Sequence, residues 1–317
     1  NSTVSLIMTA GEAFGNKTFP VTYAVTQLIQ GSLYIFLIAL ITYFAGQLIW
    51  KEREDRVDEI QDSLPVRDWT FYAAKFSVLI ASLFILQFAA CLAGIAVQAY
   101  HGYTRFQIPL YIEELFFRDF SLLVFLAVLA FFIHVLSPNK YIGYFGFIGF
   151  LIFDAFGWNA LDMSSRMLNF GSRPSVPYSD FFRFLPGAAG WHWFSLYWTL
   201  FCALLAAASI ALWRRGRETA FSARWRIAQS RLRAGLQPAV LTLALLFAAT
   251  AGWTYYNTKV VNSFTTPKEG ERRAAAFEKA YKQFETLPQP RITAVRYDID
   301  LYPEKRGISL HAAQTIT

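Results

Sequence analysis

Four histidines, two cysteines, one carboxylate inside an apolar segment and one dense charged run are the residues from which chemistry could be built. The histidines, His101, His134, His192 and His311, form no pair four apart on one helix face, so neither a zinc pair nor a haem pair is suggested. A catalytic zinc needs three protein ligands and an open fourth position, and no HExxH sequence supplies them. No Gly-x-x-x-x-Gly-Lys-Ser/Thr run is present to cradle a nucleotide's phosphates. Cys91 and Cys202 each sit within an apolar run, which argues against a disulfide framework or a metal cluster. We therefore expect no enzyme site, no cofactor and no metal in these residues. Asp154 closes the segment YIGYFGFIGFLIFDAF. A carboxylate in such a place is costly and by default functional. It is either part of a transport pathway or, lying close to Gly157 and Asn159, a group that reaches water.

The charged run is WKEREDRVDEIQDSLPVRDWTFYAAK, Trp50 to Lys75. It carries Lys51, Glu52, Arg53, Glu54, Asp55, Arg56, Asp58, Glu59 and Asp62 between two long apolar stretches. Its signs alternate, which does not suit a surface built for anionic lipid. Val57, Ile60 and Leu64 fall at i, i+3 and i+7, one short apolar stripe on a helix spanning Arg53 to Leu64. Such a stripe can insert into a partner's groove; the alternative is a solvated connecting loop.

The elements around this run belong in lipid. The 317 residues are 55% hydrophobic and 16% charged, against about 25% charged in soluble proteins. Crossing a bilayer takes about 20 apolar helical residues. Six segments meet or approach that length, at about 26–50, 76–100, 120–136, 141–156, 193–213 and 238–256. His134 is placed at the inner end of the third, as a cap. Gly143, Gly146 and Gly149, and the alanines between Ala203 and Ala208, suggest close helix packing.

Orientation follows from Lys and Arg. Twelve fall on the side of the charged run: Lys51, Arg53, Arg56, Arg67, Lys140, and Arg214, Arg215, Arg217, Arg224, Arg226, Arg231 and Arg233 of one loop. Five lie on the other side: Arg105, Arg118, Arg166, Arg173 and Arg183. The charged run is thus expected in the cytoplasm, and residues before the first span or after Asn257 outside. The net charge of +7 fits this positive-inside surplus and membrane lipid, not nucleic acid. We read the Arg-rich loop as a stop signal or lipid patch.

On the outer side, YIEELFFRDF (Tyr111 to Phe120) patterns as an interfacial helix. Pro174, Pro177 and Pro186 preclude one continuous helix over Gly157 to His192, and Trp191, Trp193 and Trp198 suit an aromatic belt. Beyond the last span, Pro267 to Leu287 reads as a soluble helix with Ala274, Phe277, Tyr281 and Phe284 on one face, ended by Pro288 and Pro290. The next stretch alternates Val295, Tyr297, Ile299 and Leu301 with polar residues, as a strand does. PEKRG turns it, and a second strand follows. The expected architecture is an all-α polytopic membrane protein with a short C-terminal extracytoplasmic helix and β-strands. Its parts are a transmembrane domain at 1–256, a linker helix at 257–290 and the start of a β-rich domain at 291–317. With no initiator Met and no signal pattern at its start, we expect a longer protein around these residues.

Two resemblances sharpen this. Glu52, Arg53 and Glu54, then a short helix, then Leu64, Pro65, Val66 and Lys75 resemble the coupling loop of type-2 ABC exporter permeases. The resemblance implies that Glu52, Arg53, Glu54, Arg56, Val57, Ile60 and Leu64 meet a separate ABC ATPase, which binds the ATP. It also implies a second permease half or a homodimer, and a bacterial inner membrane. By it, the span at 26–50 corresponds to the family's second, the family's first would precede Asn1, and the span at 238–256 is an addition. Tyr297, Asp298, Ile299, Asp300 and Leu301 resemble the first hairpin of aminopeptidase N family zinc peptidases, which some bacterial proteins carry fused to such permeases. A membrane anchor for such a peptidase, without transport, is the alternative. A redox or ion-channel protein lacks haem ligands, pore motifs and charged rings.

Overall fold

A computed structural model describes residues 12–13, 16–17, 19–163, 165–185, 187–215, 221–232, 237–262, 265–287, 290–305 and 307–317. Pro186, Arg217, Arg233 and Pro288 lie outside the described residues. Two compact units are present, Asn1–Phe264 and Thr265–Thr317.

Among the described residues, the first unit contains six helices long and apolar enough to cross a membrane: α1 (Thr22–Glu54), α3 (Asp68–Tyr100), α4 (Ile108–Leu136), α5 (Lys140–Ala160), α6 (Ala188–Ala211) and α8 (Gln237–Val261). Two short helices lie between them, α2 (Asp58–Ser63) and α7 (Phe221–Arg231). A minimal antiparallel pair, β1 (Glu12–Ala13) with β2 (Asn16–Lys17), precedes α1. The chain is a multi-pass helical membrane protein. Its spans alternate in direction, so the ends of α1, α4 and α6 and the starts of α3, α5 and α8 share one face, here the hinge face.

The centre of the bundle is α4. Leu123, Phe125, Ala127, Ala130 and Phe131 are buried in one cluster with Leu37 and Ile41 of α1, Leu79 and Leu83 of α3, Phe147 of α5 and Trp198 of α6. The outer spans keep large apolar side chains exposed, among them Phe84, Ile85 and Phe88 of α3 and Phe145 and Ile148 of α5. That surface suits lipid, where tails are as apolar as leucine and helices associate through packing.

Small residues set that packing. A Cβ on Gly143 would lie 2.2 Å from the His134 ring, and one on Gly46 would lie 2.2 Å from the Tyr144 ring. These glycines seat α5 against α4 and α1. Gly149 faces open space and takes no part. Gly143→Val must displace a fully buried imidazole, so overpacking should cost about 1–3 kcal/mol. A lowered melting temperature in detergent, with Gly149→Val unchanged, is the expected result.

The third span begins earlier than its apolar run. The charged stretch expected to lie in the interface is continuous with α4: a π-helical segment, Ile112–Asp119, leads directly into Phe120–Leu136. Tyr111 and Leu115 are completely buried. The polar side chains there are held within the protein. Gln87 donates to Asp119 at 3.0 Å, Gln30 to Glu114 at 3.3 Å, and the Tyr111 hydroxyl to Gln98 at 2.9 Å. Gln98 in turn donates to the Pro20 carbonyl at 2.8 Å, which fixes the entry to α1. A charge pattern that suits an interface also suits a helix whose polar face meets polar residues of neighbouring spans.

The second unit holds α9 (Pro267–Tyr281), capped by the Thr266 hydroxyl, and the hairpin β3 (Ile292–Tyr302) with β4 (Gly307–Ile316). Ile299 faces Leu310 and Leu301 faces Ile308. With Val295 and Tyr297 they form one apolar face, and every residue of β3 is exposed. The Phe277 and Tyr281 rings pair on α9 at 4.3 Å.

Candidate functional site: the hinge face

The charged run is not one helix from Arg53 to Leu64, as its spacing suggests. The first span continues to Glu54 and then closes in a Schellman motif. Arg56 adopts the left-handed conformation, φ 57°, its N–H donates to the Arg53 carbonyl, and the Val57 N–H donates to the Glu52 carbonyl. This ends α1 and turns the chain, so that α2 begins afresh at Asp58. Leu64 is extended, as Pro65 requires of the residue before it, a tight turn brings the Val66 N–H to the Leu64 carbonyl at 2.8 Å, and α3 starts at Asp68 after an extended Arg67.

The break sorts the residues into two sets. Glu52, Arg53 and Glu54 are engaged internally. Glu52 pairs with Lys75 of α3, Glu54 with Lys140 of α5 at 2.6 Å, and Arg53 stacks on Trp50 at 5.7 Å. Arg56, Val57, Ile60 and Leu64 are exposed, Ile60 to 71%. Val57, Ile60 and Leu64 are thus exposed apolar side chains on this loop, one before α2, one on it and one after it.

The Arg-rich segment holds this loop in place, a role that counting charges for topology did not reveal. The Arg215 guanidinium lies across the turn out of α2, donating to the carbonyls of Asp62 (3.0 Å), Val66 (2.9 Å) and Leu64. It also faces the Asp68 carboxylate at 3.4 Å. Arg231 of α7 reaches the other Asp68 oxygen at 3.0 Å while donating to the carbonyls of Ala211 and Trp213. Arg224, buried, donates to the Val135 carbonyl at 2.6 Å and the Leu212 carbonyl at 2.8 Å. Carbonyls at a helix C-terminus lack intrahelical partners and carry partial negative charge, so arginine suits them. Burial, with Arg53 and Arg224 nearby, pushes Arg214 down to about 10, which leaves it cationic at neutral pH. α7 thus ties the ends of α4 and α6 to the loop between α1 and α3. Arg226 of the same helix stays exposed.

Beneath the loop is a cavity of about 30 Å³ lined by residues including Trp50, Glu52, Lys75, His134 and Trp213. That volume holds about two water molecules. The Trp50 Nε1 and both His134 ring nitrogens are buried there without a protein partner. This is a place for water, not for cargo. His134 does lie in the last turn of its span but caps nothing there: the ring is fully buried, its nitrogens meet no protein partner, and it lies edge-on to Tyr144, centroids 5.1 Å apart.

Asp154 lies at the opposite face. One carboxylate oxygen accepts from the Trp158 indole at 3.1 Å and from the Phe170 backbone N–H at 2.9 Å. It ties the loop after α5 to the end of that span. Cys91 and Cys202 are free and buried. Among the described residues, no three His, Cys, Asp or Glu side chains group as metal ligands.

Residues 2–154 match the model of the ABC-2 family transporter proteins. That match supports a membrane transport subunit of the ABC-2 permease type. The matched region covers α1 to most of α5, so it includes α2, the Schellman turn and the Leu64–Val66 exit. The Arg-rich segment, α8 and the hairpin lie beyond it. Comparison with curated proteins and with solved structures found no match.

Proposed function

We propose that the chain is the transmembrane subunit of an ABC exporter, coupled through α2 to a separate ATPase that binds and hydrolyses ATP. The observation that carries this reading is the exposure of Val57, Ile60 and Leu64 on a loop pinned by Arg215, within the region similar to ABC-2 transporters. Apolar side chains exposed to water suit a groove in a soluble partner. Because Glu52 and Glu54 are tied to α3 and α5, a push on α2 reaches three spans at once. Closure of the ATPase would then rock these spans between inward and outward access. The Lys/Arg count supports a cytoplasmic hinge face with the residues after Asn257 outside, and the resemblance to type-2 ABC exporter permeases implies a bacterial inner membrane. A second permease half, or a second copy of this chain, completes the pathway. Co-expression with a cognate ABC ATPase tests this. The subunits should copurify and the chain should raise ATP turnover; an ATPase that neither copurifies nor responds contradicts it.

A second reading rests on the hairpin. A two-stranded hairpin alone is marginal in water, yet β3 and β4 leave a continuous apolar face exposed. We infer that they belong to a larger β-layer, of the aminopeptidase N kind that the Tyr297–Leu301 run resembles, with the spans as its membrane anchor. Zinc-dependent release of N-terminal residues by the full-length protein would support it, and a full-length protein without peptidase activity or bound zinc would contradict it.

A further inference from the structure

At the face opposite the hinge, two cavities of about 260 and 470 Å³ adjoin and share Arg118 and Trp191 as common lining. The Arg118 guanidinium lies 4.4 Å from the centre of the Phe184 ring and 4.9 Å from that of Trp191. Arg173 covers Trp191 as well, at 5.0 Å. The two arginines differ in how they are used. Arg173 donates to Ser121 at 2.6 Å and to the Arg118 carbonyl at 3.0 Å. Burial pushes it down to about 10, still cationic at neutral pH. It is a structural strut.

Arg118 makes no side-chain hydrogen bond among the described residues. Glu114, its ion-pair partner, stands 4.0 Å away, beyond hydrogen-bond distance, and Glu113 is a second acid nearby; the Arg118 side chain is only 12% exposed. A guanidinium carries five donors in a fixed fork that matches carboxylate and phosphate oxygens. A nearly buried one, stacked on two rings and with no acceptor within hydrogen-bond distance, keeps donors free for a further anion. Arg183 and His192 line the smaller cavity with it, alongside one acid, Glu113. Arg183 is held there by a tight turn, its backbone at φ 51° and bridged to Ser179. The walls are apolar: Phe117, Leu185 and the two stacked rings. Immediately beside Arg183, Phe181 and Phe182 are 93% and 61% exposed, a lip of aromatic surface at the ends of the spans.

We propose that this pocket binds an anionic amphiphile, its phosphate or carboxylate head on Arg118 and Arg183 and its tail along Phe117 and Leu185. The pocket shares no residue with the hinge face, so the proposal stands or falls independently of ATPase coupling.

The test is a thermal-shift and calorimetric titration of the full chain in a neutral maltoside detergent, without an ATPase. Dodecyl phosphate and dodecanoate are the probes, with inorganic phosphate as the headgroup alone. A ligand that binds only the folded state raises the melting temperature with concentration. At least one amphiphile should bind, and the stronger one identifies the headgroup. Arg118→Gln and Arg183→Gln should each weaken it about tenfold or more, as expected when a charged hydrogen bond is lost. Arg226→Gln, on α7, should bind like the parent. Because Arg118 is stacked in the fold, the exposed Arg183 provides the variant that leaves packing intact. Equal binding by the Arg183→Gln and Arg226→Gln proteins, or inorganic phosphate binding as tightly as the amphiphiles, would overturn the proposal.

Discussion

Ile60→Asp should leave the six spans folded and lower the affinity for the ATPase by at least tenfold. Ile60 is 71% exposed and makes no core contact in the bundle, so its replacement should change stability by no more than about 0.5 kcal/mol. In a complex, an isoleucine buried in a groove contributes about 1.5–3 kcal/mol, and a desolvated carboxylate opposes binding further. Each 1.4 kcal/mol is about a factor of ten in affinity. Ile60→Leu keeps the apolar volume and should retain binding. The check is the ATP turnover stimulated by increasing amounts of each variant, alongside its melting temperature. A normal response from Ile60→Asp would remove α2 from the interface.

Arg215→Ala should release the loop without touching the apolar side chains it presents. The side chain donates to three backbone carbonyls and faces Asp68. Hydrogen bonds to charged groups contribute about 1.5–3 kcal/mol each, but such a cluster is not additive. A local cost of about 2–4 kcal/mol is therefore expected. Amide exchange across residues 58–66 should accelerate at least tenfold while the buried amides of α4 remain protected. ATPase stimulation should fall because a loosened α2 no longer passes force to α1 and α3. Arg215→Lys keeps a charge near Asp68 but lacks the fork that reaches several carbonyls at once, so it should fall between the two. Exchange in Arg215→Ala equal to that of the parent would mean that the arginine does not hold the loop.

The spans and their alternating direction were legible because lipid imposes a simple rule on them. About 20 apolar residues in a row have few other fates. The helix that would carry Val57, Ile60 and Leu64 as one stripe is broken, and what the structure shows of the three is their exposure. The break itself had no signal in the sequence. Schellman closure favours glycine at the left-handed position, and here an arginine, Arg56, occupies it. The early start of α4 was hidden for a related reason. Glu114, Arg118 and Asp119 lower its hydropathy, while the glutamines that receive them, Gln30 and Gln87, lie on other helices. The role of Arg215, Arg224 and Arg231 was illegible because most of their partners are backbone carbonyls and the side-chain partner that Arg215 and Arg231 share, Asp68, lies far off in sequence. No residue type marks a carbonyl at a helix end as an arginine acceptor. Asp154 shows the converse. Its position in an apolar run marked it as notable, but only the fold shows that its oxygen bonds Trp158 and Phe170.

The most direct measurement is site-specific photocrosslinking in membranes that contain the chain and its ATPase. A photoreactive residue is placed at position 60 in one protein and, as a control, at position 181 at the other end of the spans. A crosslink to the ATPase is expected from position 60, strengthened or weakened by nucleotide, and none from position 181. A copurifying ATPase that never crosslinks to position 60, or that crosslinks from position 181, would contradict coupling through α2.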